Sequence, residues 1–182
     1  MARIRPARTM RYLKSQPWAR YSLKKPRKNY IRAMPHTSLL VFNMGVEKDT
    51  YDMKLELKSE QYIQLRSNAI ESARLVSNKY LENNIPANYR FRVLVYPHSV
   101  IREHKMATGA GADRISQGMS LSFGRPVSVA ARIKEGQPIF MVMTNKANRT
   151  VAVKAMRRAA AKLSGTYKVV VSDVAVAPAA AA

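Results

Sequence analysis

Residues 39–42, LLVF, form a short apolar run, and beyond them Tyr51, Met53, Leu55 and Leu57 alternate with Asp52, Lys54, Glu56 and Lys58. The first pattern predicts a buried strand, the second a strand with one wet face, and residues 45–50 a turn between them. After Ser59 the period lengthens. Tyr62, Leu65, Ala69, Ala73, Val76 and Tyr80 recur at three- and four-residue steps, which predicts one long helix over residues 59–84. Ser59 is placed to cap it, Glu60 sits in its first turn, and Asn83, Asn84 and Pro86 end it.

The two-residue period then returns. Tyr89, Phe91, Val93 and Val95 alternate with Arg90, Arg92 and Leu94, and SVIRE at residues 99–103 is a second short strand. Val127, Val129, Ala131 and Ile133 alternate in turn, EGQP makes a turn, and IFMVM follows as a buried run. These last two strands are expected to pair with each other across a tight turn at Gly136. A second helix is predicted over residues 148–163, stopped by Gly165. Its inner face is Ala152, Ala155, Met156, Ala159 and Leu163, and its outer face carries Lys154, Arg157, Arg158 and Lys162. TYKVVVSDV closes the body as a last strand. Without regular βαβ alternation, the class is α+β: a mixed or antiparallel sheet with two packed helices.

One segment does not fit this economy. HKMATGAGADRISQG, residues 104–118, joins two strands that a far shorter turn could connect, since loops above ~12 residues in compact domains tend to be functional or disordered. Its glycines, with Ala107, Ala110 and Ala112, offer little core, so order is expected to come from a partner. The domain reading is therefore an extended arm at 1–35, a single α+β body at 36–174 with a protruding loop at 104–118, and an Ala-rich tail at 175–182.

Charge changes the picture more than composition does. The 182 residues carry a formal charge of +21, which points to an anionic polymer or surface. Residues 1–32 hold 11 Lys/Arg and no acid, residues 33–103 hold 9 against 8 acids, and residues 104–182 hold 12 against 3. Pro6, Pro17, Pro26 and Pro35 forbid a long helix in the arm, which also disfavours a mitochondrial presequence. Tyr12, Trp18, Tyr21 and Tyr30 lie among its cations, giving flat faces for stacking beside charge for phosphates. No apolar run approaches the ~20 residues of a membrane helix, so no membrane partner is expected.

The absence of cysteine removes disulfides, thiolate metal sites and thiol nucleophiles. His36, His98 and His104 have no metal-binding spacing, and Asp49 and Asp52 read as turn and strand-face residues. GAGADR lacks the third glycine and the βαβ setting of a dinucleotide fingerprint. No enzyme, metal or cofactor is expected. Cations scattered over an arm, a loop and a helix suit a ligand that wraps the protein, and folded RNA is such a ligand. The expected RNA-binding set is Arg3, Arg5, Arg8, Arg11, Tyr12, Lys14, Trp18, Arg20, Lys24, Lys25, Arg27, Lys28 and Arg32 in the arm. Arg90, Arg92, Arg125, Arg132, Lys154, Arg157, Arg158 and Lys162 complete it in the body.

The segment ADRISQGMSLSFGRP at residues 112–126, preceded by YPHSVIREHKM, carries a resemblance that extends from RPARTMRY through ESARLVSNKY to RRAAAKLSG. The chain resembles the universal large-subunit ribosomal protein L-sixteen family, in its archaeal and eukaryotic ten-e branch. Tyr96 and Ser120 depart from that pattern, standing where relatives often carry His and Arg. Cysteines common in eukaryotic relatives are missing, which favours an archaeal source. The resemblance implies an α/β-hammerhead type core and a non-enzymatic, cytoplasmic ribosomal component near the central protuberance. It further implies contact with the large rRNA, five-S rRNA and neighbouring ribosomal proteins, transient contact with tRNA, and no homo-oligomer. The long loop would face the tRNA sites and the peptidyl-transferase centre through Arg102, His104, Lys105, Gly109, Gly111, Arg114 and Gly118. Apart from this resemblance, a non-ribosomal RNA-binding or assembly protein remains the alternative.

Overall fold

The computed structural model describes residues 25, 27, 29, 31–48, 51–107 and 109–173. Arg3, Arg5, Arg8, Arg11, Tyr12, Lys14, Trp18, Arg20, Lys24 and Lys28 lie outside the described residues, as do Asp49 and the Ala-rich tail.

The body has two sheets, both antiparallel throughout. Strands β1 (Asn43–Gly45), β4 (Tyr89–Val93), β7 (Pro138–Thr144), β2 (Met53–Ser59) and β8 (Tyr167–Asp173) form a five-stranded sheet in that order. Strands β3 (Ile63–Arg66), β6 (Arg125–Ile133) and β5 (Ser99–Glu103) form the other. Helix α3 (Arg149–Ala160) lies on one face of the larger sheet, against β2, β7 and β8, with α1 (Ser67–Asn84) beside it. Beneath the helices, Leu55, Leu57, Phe91, Phe140 and Val142 point inward and are fully buried. Burying each such side chain contributes about 1.5–3 kcal/mol, so this layer sets the register of the sheet. The α+β class follows directly from these layers.

Three local expectations are corrected. Of residues 39–42 only Leu39 enters the core, while Leu40 and Val41 are exposed. The paired strand starts at Asn43, opposite Arg92 on β4, so the apolar run precedes the sheet edge. The first helix is shorter than its periodicity, because Ile63–Arg66 is strand β3, held by pairing with Ala130–Ile133 of β6. Ser59 therefore caps nothing: it ends β2, and its Oγ donates to the Gln61 carbonyl at 2.8 Å. The buried line of α1 is Ile70, Ala73, Ser77 and Leu81, with Ala69 and Tyr80 only partly covered at its side.

The third correction concerns pairing. β6 and β7 are joined by the turn at Gly136, where the Gln137 N–H donates to Lys134 O at 3.2 Å, but they belong to different sheets. The β2–β3 connection changes sheet at the same corner. There Gly136 N–H donates to Ser59 O at 2.7 Å and Ser59 N–H donates to Gln137 O at 3.1 Å. Both crossings thus satisfy each other's backbone groups, which a simple hairpin would have satisfied by continuing the ladder.

Candidate nucleic-acid interface

The two faces fall as the sequence predicts, with Ala152, Ala155, Met156, Ala159 and Leu163 buried and Lys154, Arg157, Arg158 and Lys162 exposed, but α3 ends at Ala160, so Lys162 and Leu163 lie in the turn beyond it and not in the helix expected to reach 163. The Arg158 guanidinium lies over the Tyr80 ring of α1 at 3.9 Å from its centroid, which fixes its direction without neutralising its charge. Arg90 and Arg92 sit on the opposite side of the body, on the sheet face away from the helices. Arg90 pairs with the exposed carboxylate of Glu47. Arg125 opens β6 and Arg132 lies near its far end, roughly 23 Å away at ~3.4 Å per residue. Lys25, Arg27 and Arg32 are exposed. The described cations therefore form no single patch, and a ligand meeting them all must surround the body.

The long loop leaves β5 and returns to β6, which pair with each other, so residues 104–124 are an oversized hairpin loop on a regular stem. It has more structure of its own than its glycines predict. The Arg102 Nη1 donates to Phe123 O at 2.6 Å while its guanidinium stacks 3.7 Å from the Phe123 ring centroid. Burial there lowers the Arg102 pKa. His104 donates through Nε2 to Gly118 O at 2.8 Å, so this ring nitrogen carries the proton. At the outer end α2 (Ala112–Ile115) makes one helical turn, entered through Gly111 at φ +76°. Arg102 and His104 are thus braces of the stem, whereas Lys105 and Arg114 are exposed. Gly109, Gly111 and Gly118 have open space where a side chain would stand.

What the sequence reading missed is apolar. Ile115, Met119 and Leu121 are 80%, 69% and 83% exposed, and Phe123 and Val127 continue the strip toward the stem. Leu121 also adopts φ +54°, a costly conformation for a branched residue. The signal was available in MSLSF, whose apolar residues stand in a loop with no element to receive them. Among the described residues no group of acids and histidines could hold a metal ion, and no helix is long and apolar enough to cross a membrane.

A small α+β body with basic surfaces on opposed sides and a protruding loop defines a polyanion-binding protein, one that an RNA can enclose. Residues 18–170 match the family model described as Ribosomal protein L16p/L10e. The chain is 43% identical over 155 residues to the large ribosomal subunit protein uL16 of Archaeoglobus fulgidus, covering 85% of this chain and 89% of that one. It is 45% identical over 146 residues to uL16 of Methanocella arvoryzae, covering 80% and 85%. With uL16 of Methanococcus maripaludis it shares 39% identity over 170 residues, covering 93% and 94%. The chain belongs to the ribosomal protein L16p/L10e family, and its relatives here are archaeal. It is a structural, non-enzymatic constituent of the large subunit of the cytoplasmic ribosome, with rRNA and ribosomal proteins as its partners. The non-ribosomal alternative falls with that membership.

Proposed function

We propose that this chain binds near the central protuberance, contacting both the large rRNA and five-S rRNA, and holds its long loop toward the tRNA sites and the peptidyl-transferase centre, where tRNA meets it transiently. The loop carries this reading. Its stem is built by backbone pairing and by Arg102 on Phe123, while its outer part exposes Ile115, Met119 and Leu121 beside Lys105 and Arg114. Apolar side chains displayed this far into solvent need a partner, and adjacent cations make that partner an anionic one with apolar faces, as nucleotides are. The arm, α3 and the strand cations would fasten the body while the loop reaches outward.

Excision of residues 105–117 tests it. His104 and Gly118 already touch at 2.8 Å, so a short glycine bridge can close the stem without displacing β5 or β6. Particles reassembled with the excised protein should retain it at parental stoichiometry but accommodate tRNA or transfer peptide more slowly, by about tenfold for a loss of ~1.4 kcal/mol. Parental tRNA affinity and parental rates together would mean that the loop is a spacer.

A further inference from the structure

Of the face of the five-stranded sheet turned away from the helices, only Arg90 and Arg92 stood in the expected RNA-binding set, and the strand register gives the whole face a definite layout. Side by side across the strands stand Asn43, Arg92, Met141, Glu56 and Val170, and in the next outward row Arg90, Met143, Lys54 and Ser172. A third row places Lys58 directly opposite Lys168. Two cationic ridges result, Arg90 and Arg92 on β4 and Lys54, Lys58 and Lys168 on β2 and β8. Between them β7 contributes only Met141, which is buried beneath its neighbours, and the half-buried Met143, an uncharged trough. With strands ~4.8 Å apart, the β4 and β2 ridges stand roughly 10 Å from each other and β8 lies one strand further out.

We propose that this face is a docking surface for double-helical RNA, the ridges meeting the two phosphate strands and the methionine trough meeting the groove between them. The inference rests on the ribosomal RNA-binding reading and adds a surface to it. Three observations carry it. Five cations oppose three carboxylates, Glu56, Glu47 and Asp52, the last on the same face as Lys54 by alternation along β2. Arg92 and Lys168 have no ion pair among the described residues, and Lys168 faces Lys58, whose only carboxylate partner, Glu56, is shared with Lys54. The surface is also five strands across, a width that fits the wide, shallow minor groove of A-form RNA and not the narrow groove of B-form DNA. Glu56 steadies the inner ridge: Lys54 at 2.5 Å and Lys58 at 3.2 Å share its carboxylate. Hydrogen bonding from Lys54, aided by Lys58 and opposed by burial, holds that carboxyl below its usual range, so it stays charged and keeps both lysines raised. Methionine is suited to the trough because its unbranched chain adapts to an irregular sugar surface.

The chain has no cysteine, so single cysteines can report where each ridge lies in the assembled particle. Asn43→Cys, beside Arg92, and Ser172→Cys, beside Lys54, are exposed positions that leave every cation in place; Ala161→Cys, exposed at the end of α3, serves as reference. Each is loaded with a tethered hydroxyl-radical source and built into large subunits. The expected result is cleavage from positions 43 and 172 on the two complementary strands of one rRNA helix. Cleavage from position 161 alone overturns the proposal and leaves rRNA binding standing, as does crosslinking of 43 and 172 to an acidic protein segment. Silence from all three positions in particles that contain the protein overturns the rRNA reading as well. As a second measure, Arg92→Glu with Lys168→Glu should reduce the slope of log affinity for large-subunit rRNA against log salt by about two, with unchanged circular dichroism. An unchanged slope overturns the proposal.

Discussion

Gly124 closes the loop stem at φ +77°, and a Cβ there would stand 2.8 Å from both the Glu103 carbonyl carbon and the His104 nitrogen. Backbone cannot yield as a flexible side chain can. Gly111 has a similar φ of +76° but nothing within 4 Å. Comparing them separates conformational cost from collision. Gly111→Ala should cost about 1 kcal/mol, the usual penalty of a left-handed L-residue, whereas Gly124→Ala should cost about 2–4 kcal/mol and expose the amides of residues 102–104 and 123–125 to exchange. Urea unfolding of the free protein, with hydrogen exchange read peptide by peptide, checks both figures; equal costs would show that the stem gives way freely. The sequence revealed that the loop's glycines were meaningful but not that they do different things. Gly109, Gly111 and Gly118 keep the loop's surface bare, and Gly124 serves packing, a distinction only three-dimensional neighbours can make.

Helix α3 was readable because its two faces differ sharply and nothing else competes for them. Apart from Met156 its fully buried positions are alanines, which bring the helix against β2 and β7, and its charged side chains are left to the outer face. Replacing Arg157 and Arg158 by Glu should therefore leave far-UV circular dichroism of the free protein nearly intact while reducing incorporation into particles by about tenfold or more, measured as stoichiometry after a salt wash. Normal incorporation would assign this face to solvent. The error at the start of α1 has the opposite origin. Ile63 and Leu65 fit a strand, Leu65 and Ala69 fit a helix, and Leu65 belongs to both patterns. Pairing with β6, a strand some seventy residues away, decides between them, and local periodicity carries no trace of it. The same holds for β6 and β7: adjacent strands with a tight turn read as a hairpin, and only the two-sheet arrangement separates them.

For the molecule as a whole, charge announced an RNA partner, and the stretch read as an arm also holds a packing residue. Ile31 is buried with Val100 and Val129, and Met34 covers them, so the chain is already anchored on the smaller sheet at that point. Removing residues 1–24 takes away seven cations and should flatten the salt dependence of rRNA binding with no loss of stability. Removing residues 1–32 should flatten it further and cost about 2 kcal/mol as well, since Ile31 goes with them. Equal urea midpoints for the two truncations would show that the anchor contributes nothing. The shared corner at Ser59 and Gly136 has a further consequence, one of timing. β7 is the strand that joins β4 to β2, and it is synthesised after both. Until residue 144 has left the exit tunnel of the ribosome making it, β2 and β4 lack the strand that lies between them. The nascent chain thus carries uncovered apolar strand surface until β7 is complete.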